Sequence, residues 1–211
     1  MENDTLIIVF AKAPIPGAAK TRLIPALGEV GAAMLHTALT ERVLATAIST
    51  GHSVDIACAP DCEHVFFEDC EAEFDVSLTP QITDPNLGAR MLHALRDAHD
   101  EFAKVIIVGA DCPAFTKAHL VRAATALATH DVVLTPVEDG GYVLIGARRT
   151  EAAMFAGVAW GTPQVLAQQR EALTHAGLTW CELETLWDVD RPVDFARLKT
   201  LKPPLDFSWG S

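Results

Sequence analysis

Positive charge is scarce in this 211-residue chain: 16 lysines and arginines stand against 28 acidic residues, a formal net charge of −12. That balance excludes a general nucleic-acid or membrane-surface binder, since both depend on a net basic face. The cysteines, Cys58, Cys62, Cys70, Cys112 and Cys181, are odd in number and contain no CxxC. Irregular spacing fits reduced thiols and matches none of the usual zinc patterns, so Cys58, Cys62, His64 and Cys70 read as unreactive helical positions rather than a metal site. No apolar run approaches the length of a membrane span, and Met1-Glu2-Asn3-Asp4 lacks the basic and apolar regions of a secretory signal. The expectation is a cytoplasmic protein without a membrane span. Linkers, internal repeats and low-complexity tracts are also missing, which leaves residues 1–211 as a single domain.

What is present is a repeated alternation. Apolar runs at Leu6–Phe10, Val54–Ala59, Val105–Val108, Val132–Pro136 and Tyr142–Ile145 read as buried strands. Gly28–Ser49, Asn86–Phe102 and Lys117–Thr129 carry apolar residues at helical spacing. Strands alternating with helices predict an α/β fold with a mostly parallel sheet covered on both faces. In such sheets ligands bind beyond the carboxyl ends of the strands, which directs attention to the loops there.

The first of these loops lies in FAKAPIPGAAKTRL, residues 10–23. Lys20-Thr21 imitates the end of a P-loop, but Pro14 and Ala19 occupy the two glycine positions, and the prolines remove backbone donors. What remains is Gly17, which lets backbone approach a ligand, and the cations Lys12, Lys20 and Arg22, which suit an anion such as phosphate. A solvated basic turn is the alternative.

In IIVGADCP, residues 106–113, Asp111 follows a strand directly. Thr116 is the better helix cap, so Asp111 is either structural or a ligand for Mg²⁺ or Mn²⁺ beside a bound phosphate. In TPVEDGGYVLIG, residues 135–146, Glu138 and Asp139 precede a turn on Gly140-Gly141 and are either turn-forming or ligand-facing. In WDVDRPVDF, residues 187–195, Pro192 suits the first turn of a helix. Asp188, Asp190 and Asp194 surround it; Asp190 is either the cap of that turn or a second metal ligand.

Taken in order, AKAPIPGAAKTRL, LGARM, GADCP, EDGGYVLIG, WGTPQVL and DVDRPVDF resemble the bacterial DUF2064 group, described as GT-A-type glycosyltransferase-like proteins. The group is similar to nucleotide-diphospho-sugar transferases and to cofactor guanylyltransferases. The resemblance implies a three-layer α/β/α sandwich with a Rossmann-like nucleotide-binding half. It implies that Ala11, Lys12, Gly17, Lys20 and Arg22, with Gly88 and Arg90 of LGARM, contact the nucleotide. Asp111 and Asp190 would hold Mg²⁺ or Mn²⁺, and Glu138, Gly140, Gly141 and Trp160 would border the acceptor. One departure stands out: GADC carries a single carboxylate where many GT-A enzymes have a DxD.

The implied activity is metal-dependent transfer from a nucleotide or nucleotide-sugar donor to a small-molecule acceptor. Cations and a metal there would stabilise charge on the leaving phosphate, and Asp139 is placed by sequence to take the acceptor's proton. Glycosyl transfer is preferred to nucleotidyl transfer, partly because the proline-bearing first loop departs from the glycine-rich loop of guanylyltransferases; a non-catalytic nucleotide-binding module is the third reading. The tail Lys202–Trp209 docks either on the domain or on a second subunit of a homodimer.

Overall fold

A computed structural model describes residues 4–207; Met1, Glu2 and Asn3, and Ser208 and Trp209 of the tail, lie outside the described residues. Seven strands form one sheet in the order β3-β2-β1-β4-β6-β5-β7. They are β1 (Thr5–Lys12), β2 (Ser53–Ala59), β3 (Ser77–Pro80), β4 (Lys104–Gly109), β5 (Val132–Pro136), β6 (Tyr142–Ala147) and β7 (Trp180–Glu182). Pairing is parallel except around β6, which runs antiparallel to β4 and β5 because Gly140-Gly141 turns the chain back as a hairpin.

Successive residues of the central strands feed opposite faces, as the two-residue period of a strand requires. Ile7, Val9, Ile106 and Val108 pack with α1 (Ile24–Ile48), α2 (Val65–Phe74) and α4 (Lys117–Ala126). Leu6, Ile8, Val105 and Ile107 pack with α3 (Leu87–Ala98) and α5 (Val165–His175). The fold is therefore the expected helix–sheet–helix sandwich, with both faces of the sheet apolar.

The helix boundaries follow local chemistry. Asn86 is the cap of α3, its side chain accepting from the Ala89 N–H at 3.1 Å, so the helix starts one residue after the expected position. Thr116 caps α4 as expected, accepting from the His119 N–H at 3.2 Å. The Gly28–Ser49 helix extends back to Ile24 but is interrupted at Gly28. Thr21–Ile48 is long and apolar enough by composition to cross a membrane, yet 56% of its apolar window is buried within the protein. It is a core helix laid on β1 and β2.

The cysteines are not helical as a set: only Cys70 lies on a helix, while Cys58 and Cys181 are on strands and Cys112 follows β4. Burial pushes the thiols of Cys70 and Cys112 up to about 12. A thiol held protonated by burial is a poor nucleophile, so burial rather than helix placement bears on Cys70 and Cys112. The described part of the tail docks on the domain, with Leu205 and Phe207 against the cluster of Leu23, Leu35 and Val189, and the Pro203 carbonyl accepting from Arg42 at 2.8 Å.

Candidate functional site

The carboxyl ends of β1 and β4 lie side by side, paired through Phe10 and Gly109, and the β5–β6 turn stands beside them. A cavity of about 340 Å³ opens there. Asp111, Asp139 and Asp188 line it together with Arg22 and Arg191, above a wall of apolar side chains that includes Phe10, Ile107 and Trp160.

Asp111 is the most constrained of the carboxylates. Lys20, bent into the left-handed region at φ 49°, buries its side chain to 4% exposure and sets Nζ 2.9 Å from Asp111 Oδ2. The same ammonium donates to the Val189 carbonyl at 2.5 Å. Burial works to raise the Asp111 carboxyl, but Lys20, His36 and Lys12 outweigh it and hold the group below the usual carboxylate value. His36 Nε2 donates to the Lys12 carbonyl at 2.9 Å, which leaves Nδ1 without a proton, buried and unpartnered, 3.8 Å from Asp111 Oδ1. Burial pushes that imidazole below its ordinary value, against an upward pull from Asp111.

Asp188 behaves oppositely. Burial first, and then the neighbouring Asp139 and Asp111 carboxylates, raise it to about 6 against a smaller pull from Lys20. Asp111 and Asp188 thus line one cavity, with His36 Nδ1 3.8 Å from Asp111 Oδ1. No group of three or more His, Cys, Asp or Glu side chains forms a complete cage among the described residues. Mg²⁺ does not require one, since it binds through one or two carboxylates and completes its shell with substrate phosphates and water. Asp111 and Asp188 are carboxylates of the cavity that could supply such ligands.

The remaining expected residues fall into two sets. Ala11 is buried at the end of β1, Lys12 is exposed beside it, and Gly17 sits further along the loop at φ +82°. Arg22 lines the cavity and is ion-paired with Asp190, so Asp190 is beside the cavity with its carboxylate held by a cation. Asp194 provides the cap of the Pro192 turn by accepting from the N–H groups of Asp190 and Arg191. Asp139 is turn-forming, its Oδ1 accepting from the Gly141 N–H at 2.9 Å, and it also lines the cavity. Glu138 turns away into a two-pronged pair with Arg197, whose guanidinium lies 4.6 Å over the Trp187 ring. Arg90 also turns away, donating to Gln81 Oε1 at 2.8 Å in a separate groove.

Two glycines fix the walls. Gly140 has φ +90°, and a Cβ there would come 2.3 Å from the Pro163 carbonyl oxygen, so the turn closes on the 161–163 loop only with glycine. At Gly88 a Cβ would meet the Trp160 ring at 2.7 Å. Trp160 is latched to the same helix end, its indole N–H donating to Asn86 Oδ1 at 3.0 Å.

Asp188, Arg191 and His36 belong to the site without having been singled out for it by the sequence. The signal for Asp188 was alternation: Val189 is buried, so Asp188 and Asp190 project from the other side of an extended segment.

Residues 42–162 match the family described as "uncharacterized protein conserved in bacteria (DUF2064)". The chain belongs to the DUF2064 family. No curated protein matches it. Among solved structures, this DUF2064 member is similar to a candidate nucleotide-diphospho-sugar transferase from Desulfovibrio desulfuricans G20, at 29% identity and a TM-score of 0.81, with 90% of this chain and 83% of that one covered. It shares its fold with a nucleotidyl transferase from Methanothermobacter thermautotroptrophicus, at 15% identity and a TM-score of 0.63 over 94% and 97% of the two chains. A third neighbour, Rv0371c from Mycobacterium tuberculosis H37Rv, is solved in complex with manganese; it is 16% identical, with a TM-score of 0.55 over 92% and 97%. The fold is that of the nucleotide-diphospho-sugar transferases.

Proposed function

We propose that this DUF2064 protein is a divalent-metal-assisted transferase that takes a nucleotide-activated donor, with glycosyl transfer to a small acceptor as its reaction. The observation that carries this reading is Asp111, kept ionised by a buried lysine at the carboxyl ends of two parallel strands. The 29% identical neighbour, named for nucleotide-diphospho-sugar transfer, supports the glycosyl choice. Nucleotidyl transfer is the second reading, favoured by three cations around the site, Lys12, Arg22 and Arg191, which match the charge of a triphosphate.

Asp111, with Asp188 or Asp190, would hold Mg²⁺ or Mn²⁺, and the bound ion would neutralise charge developing on the leaving phosphate. Arg22 and Lys12 bind donor phosphates from the β1 loop. Lys20 acts behind them, holding Asp111 ionised and tying it to the Val189 backbone. A donor phosphate that takes the Arg22 guanidinium releases Asp190, so donor binding itself supplies a further carboxylate to the cation. Asp139, anchored by its turn, takes the proton of an acceptor hydroxyl. Gly88 lets the Trp160 ring pack against the start of α3, while Gly140, Gly141 and Trp160 shape the acceptor side.

Phosphorus NMR tests both readings. The protein with Mg²⁺ is incubated separately with nucleotide sugars and with nucleoside triphosphates plus candidate acceptors. Nucleoside diphosphate released from a nucleotide sugar supports glycosyl transfer. Pyrophosphate released from a triphosphate replaces it with nucleotidyl transfer, and the absence of any nucleotide binding defeats both.

A further inference from the structure

The polar groups of the cavity are segregated. The exposed rim carries Asp139, Arg22 and Arg191, and the half-buried Asp111 and Asp188 also line the cavity, whereas Met91, Ile107, Val143, Ile145 and Val165 give it a buried apolar wall. Three side chains in the wall have polar atoms, and each is already engaged by the protein. The Trp160 indole N–H donates to Asn86 Oδ1 at 3.0 Å. The Tyr142 hydroxyl donates to Gln169 Oε1 at 3.1 Å, and Gln169, fully buried, is fixed in turn by its 2.6 Å bond to the Met154 carbonyl. Thr162 donates its hydroxyl to the Ala159 carbonyl at 2.8 Å. At Ile145 the β6 backbone is paired on both sides, with Ile107 of β4 and Leu134 of β5, while Val143 lies beside the irregularity at Thr135/Pro136.

A polyol placed against this wall would surrender water from every buried hydroxyl and meet only the leftover acceptor capacity of the Tyr142 and Thr162 oxygens, whose protons are already committed. A hydrocarbon body loses nothing polar and gains burial against aromatic edges, since Trp160 stands edge-on to Tyr142 with ring centroids 6.3 Å apart. The rim has complementary needs: carboxylates at Asp139 and Asp188 accept from a hydroxyl, and the arginines remain for donor phosphates.

We infer that the acceptor of the transfer is an alcohol with a ring-sized apolar body, seated against the Ile107, Val143 and Trp160 wall with its hydroxyl at Asp139, and not a sugar or other polyol. This rests on the transferase reading above. In the step, the acceptor oxygen forms a bond to the transferred group as that group's bond to the departing phosphate oxygen breaks. The leaving phosphate takes the electron pair, and the hydroxyl proton passes to Asp139.

The test uses two uncharged probes, 2-phenylethanol and glucose, titrated by ligand-observed NMR into the full-length protein with Mg²⁺. The expected result is at least tenfold tighter binding of 2-phenylethanol, retained when a saturating nucleoside triphosphate is present. Val143→Thr, which keeps the shape of the wall and adds one hydroxyl, is expected to weaken 2-phenylethanol at least threefold, with thermal melting as the check on folding. Equal or tighter binding of glucose overturns the inference, as does failure of 2-phenylethanol to bind. Competitive expulsion of 2-phenylethanol by the triphosphate also overturns it, because the wall would then seat the nucleobase. If no nucleotide binds to the same sample, the transferase reading falls separately, and the ranking of the two probes still decides what the wall accepts.

Discussion

Lys20 holds Asp111 from behind: its ammonium lies 2.9 Å from Asp111 Oδ2 with the lysine side chain 4% exposed, while the carboxylate remains 45% exposed to the cavity. The pair is asymmetric, with one charge enclosed and the other presented. Removing the enclosed partner leaves the presented one with burial pushing its carboxyl up and only weaker help from His36 and Lys12.

Lys20→Met is therefore expected to destabilise the fold by about 1–3 kcal/mol at pH 8, below the usual loss for breaking a fully buried pair because Asp111 is half solvated. The sign with pH follows from the lowered Asp111 carboxyl. Its stabilising contribution is present above the ordinary carboxylate value of about 3.9 and is lost as pH falls through the lower folded value. Urea denaturation should show the gap between wild type and variant narrowing as pH falls below about 4. Adding Asp111→Asn to the variant should recover part of the loss, and a strictly additive double mutant would contradict the coupling.

Gly140→Ala should cost about 2–4 kcal/mol, combining a positive φ with a collision against backbone. Gly157→Ala separates the two contributions: φ there is +75° with nothing within 4 Å of the added carbon, so its cost should be only about 1 kcal/mol. Equal losses for both variants, measured by denaturation, would mean that the 161–163 loop yields to the new methyl and is not fixed by the turn.

The central strands and three major helices were legible because each buries a full apolar face. β3 and β7 were not: Ser77–Pro80 is largely exposed and Trp180–Glu182 is three residues long, so neither carries an apolar period to read. In the site, Asp111 and Asp139 were readable from strand-end placement. Glu138 carried the same local signal, and Arg90 was implied by the resemblance alone; they are drawn elsewhere by Arg197 and Gln81, partners 59 and 9 residues away that no local pattern announces. The roles of Lys20 and Arg22 diverged for a similar reason. Two cations two residues apart look equivalent in sequence, but the left-handed backbone at Lys20 sends one inward and leaves the other at the rim.

Asp55 provides a pH test away from the cavity. Its Oδ2 accepts from Thr79 at 2.7 Å, its Oδ1 is buried without a partner, and burial raises the carboxyl to about 6. A raised folded value means that the native state binds the proton more tightly than the unfolded chain, so this group's contribution falls as pH rises from about 4 to 6. Asp55→Asn should be more stable than wild type by about 1–2 kcal/mol at pH 7.5, with the advantage vanishing near pH 4. A variant less stable than wild type at both pH values would show that the carboxylate is needed in its charged form.

The ion pair between Arg22 and Asp190 makes metal and donor binding separable by calorimetry. If Arg22 occupies Asp190 until a phosphate arrives, Asp190→Asn should leave Mn²⁺ affinity in the absence of nucleotide within about twofold. With donor nucleotide present, the same variant should lose roughly tenfold, about 1.4 kcal/mol. Arg22→Ala should act in the opposite sense, strengthening Mn²⁺ binding in the free protein while weakening the nucleotide by about 1–3 kcal/mol, the usual range for a charged hydrogen-bond partner. An Asp190→Asn variant that weakens Mn²⁺ equally in both states would make Asp190 a ligand independent of the donor. One that changes neither would reduce Asp190 to an anchor for Arg22 and leave Asp111 and Asp188 as the metal-binding carboxylates.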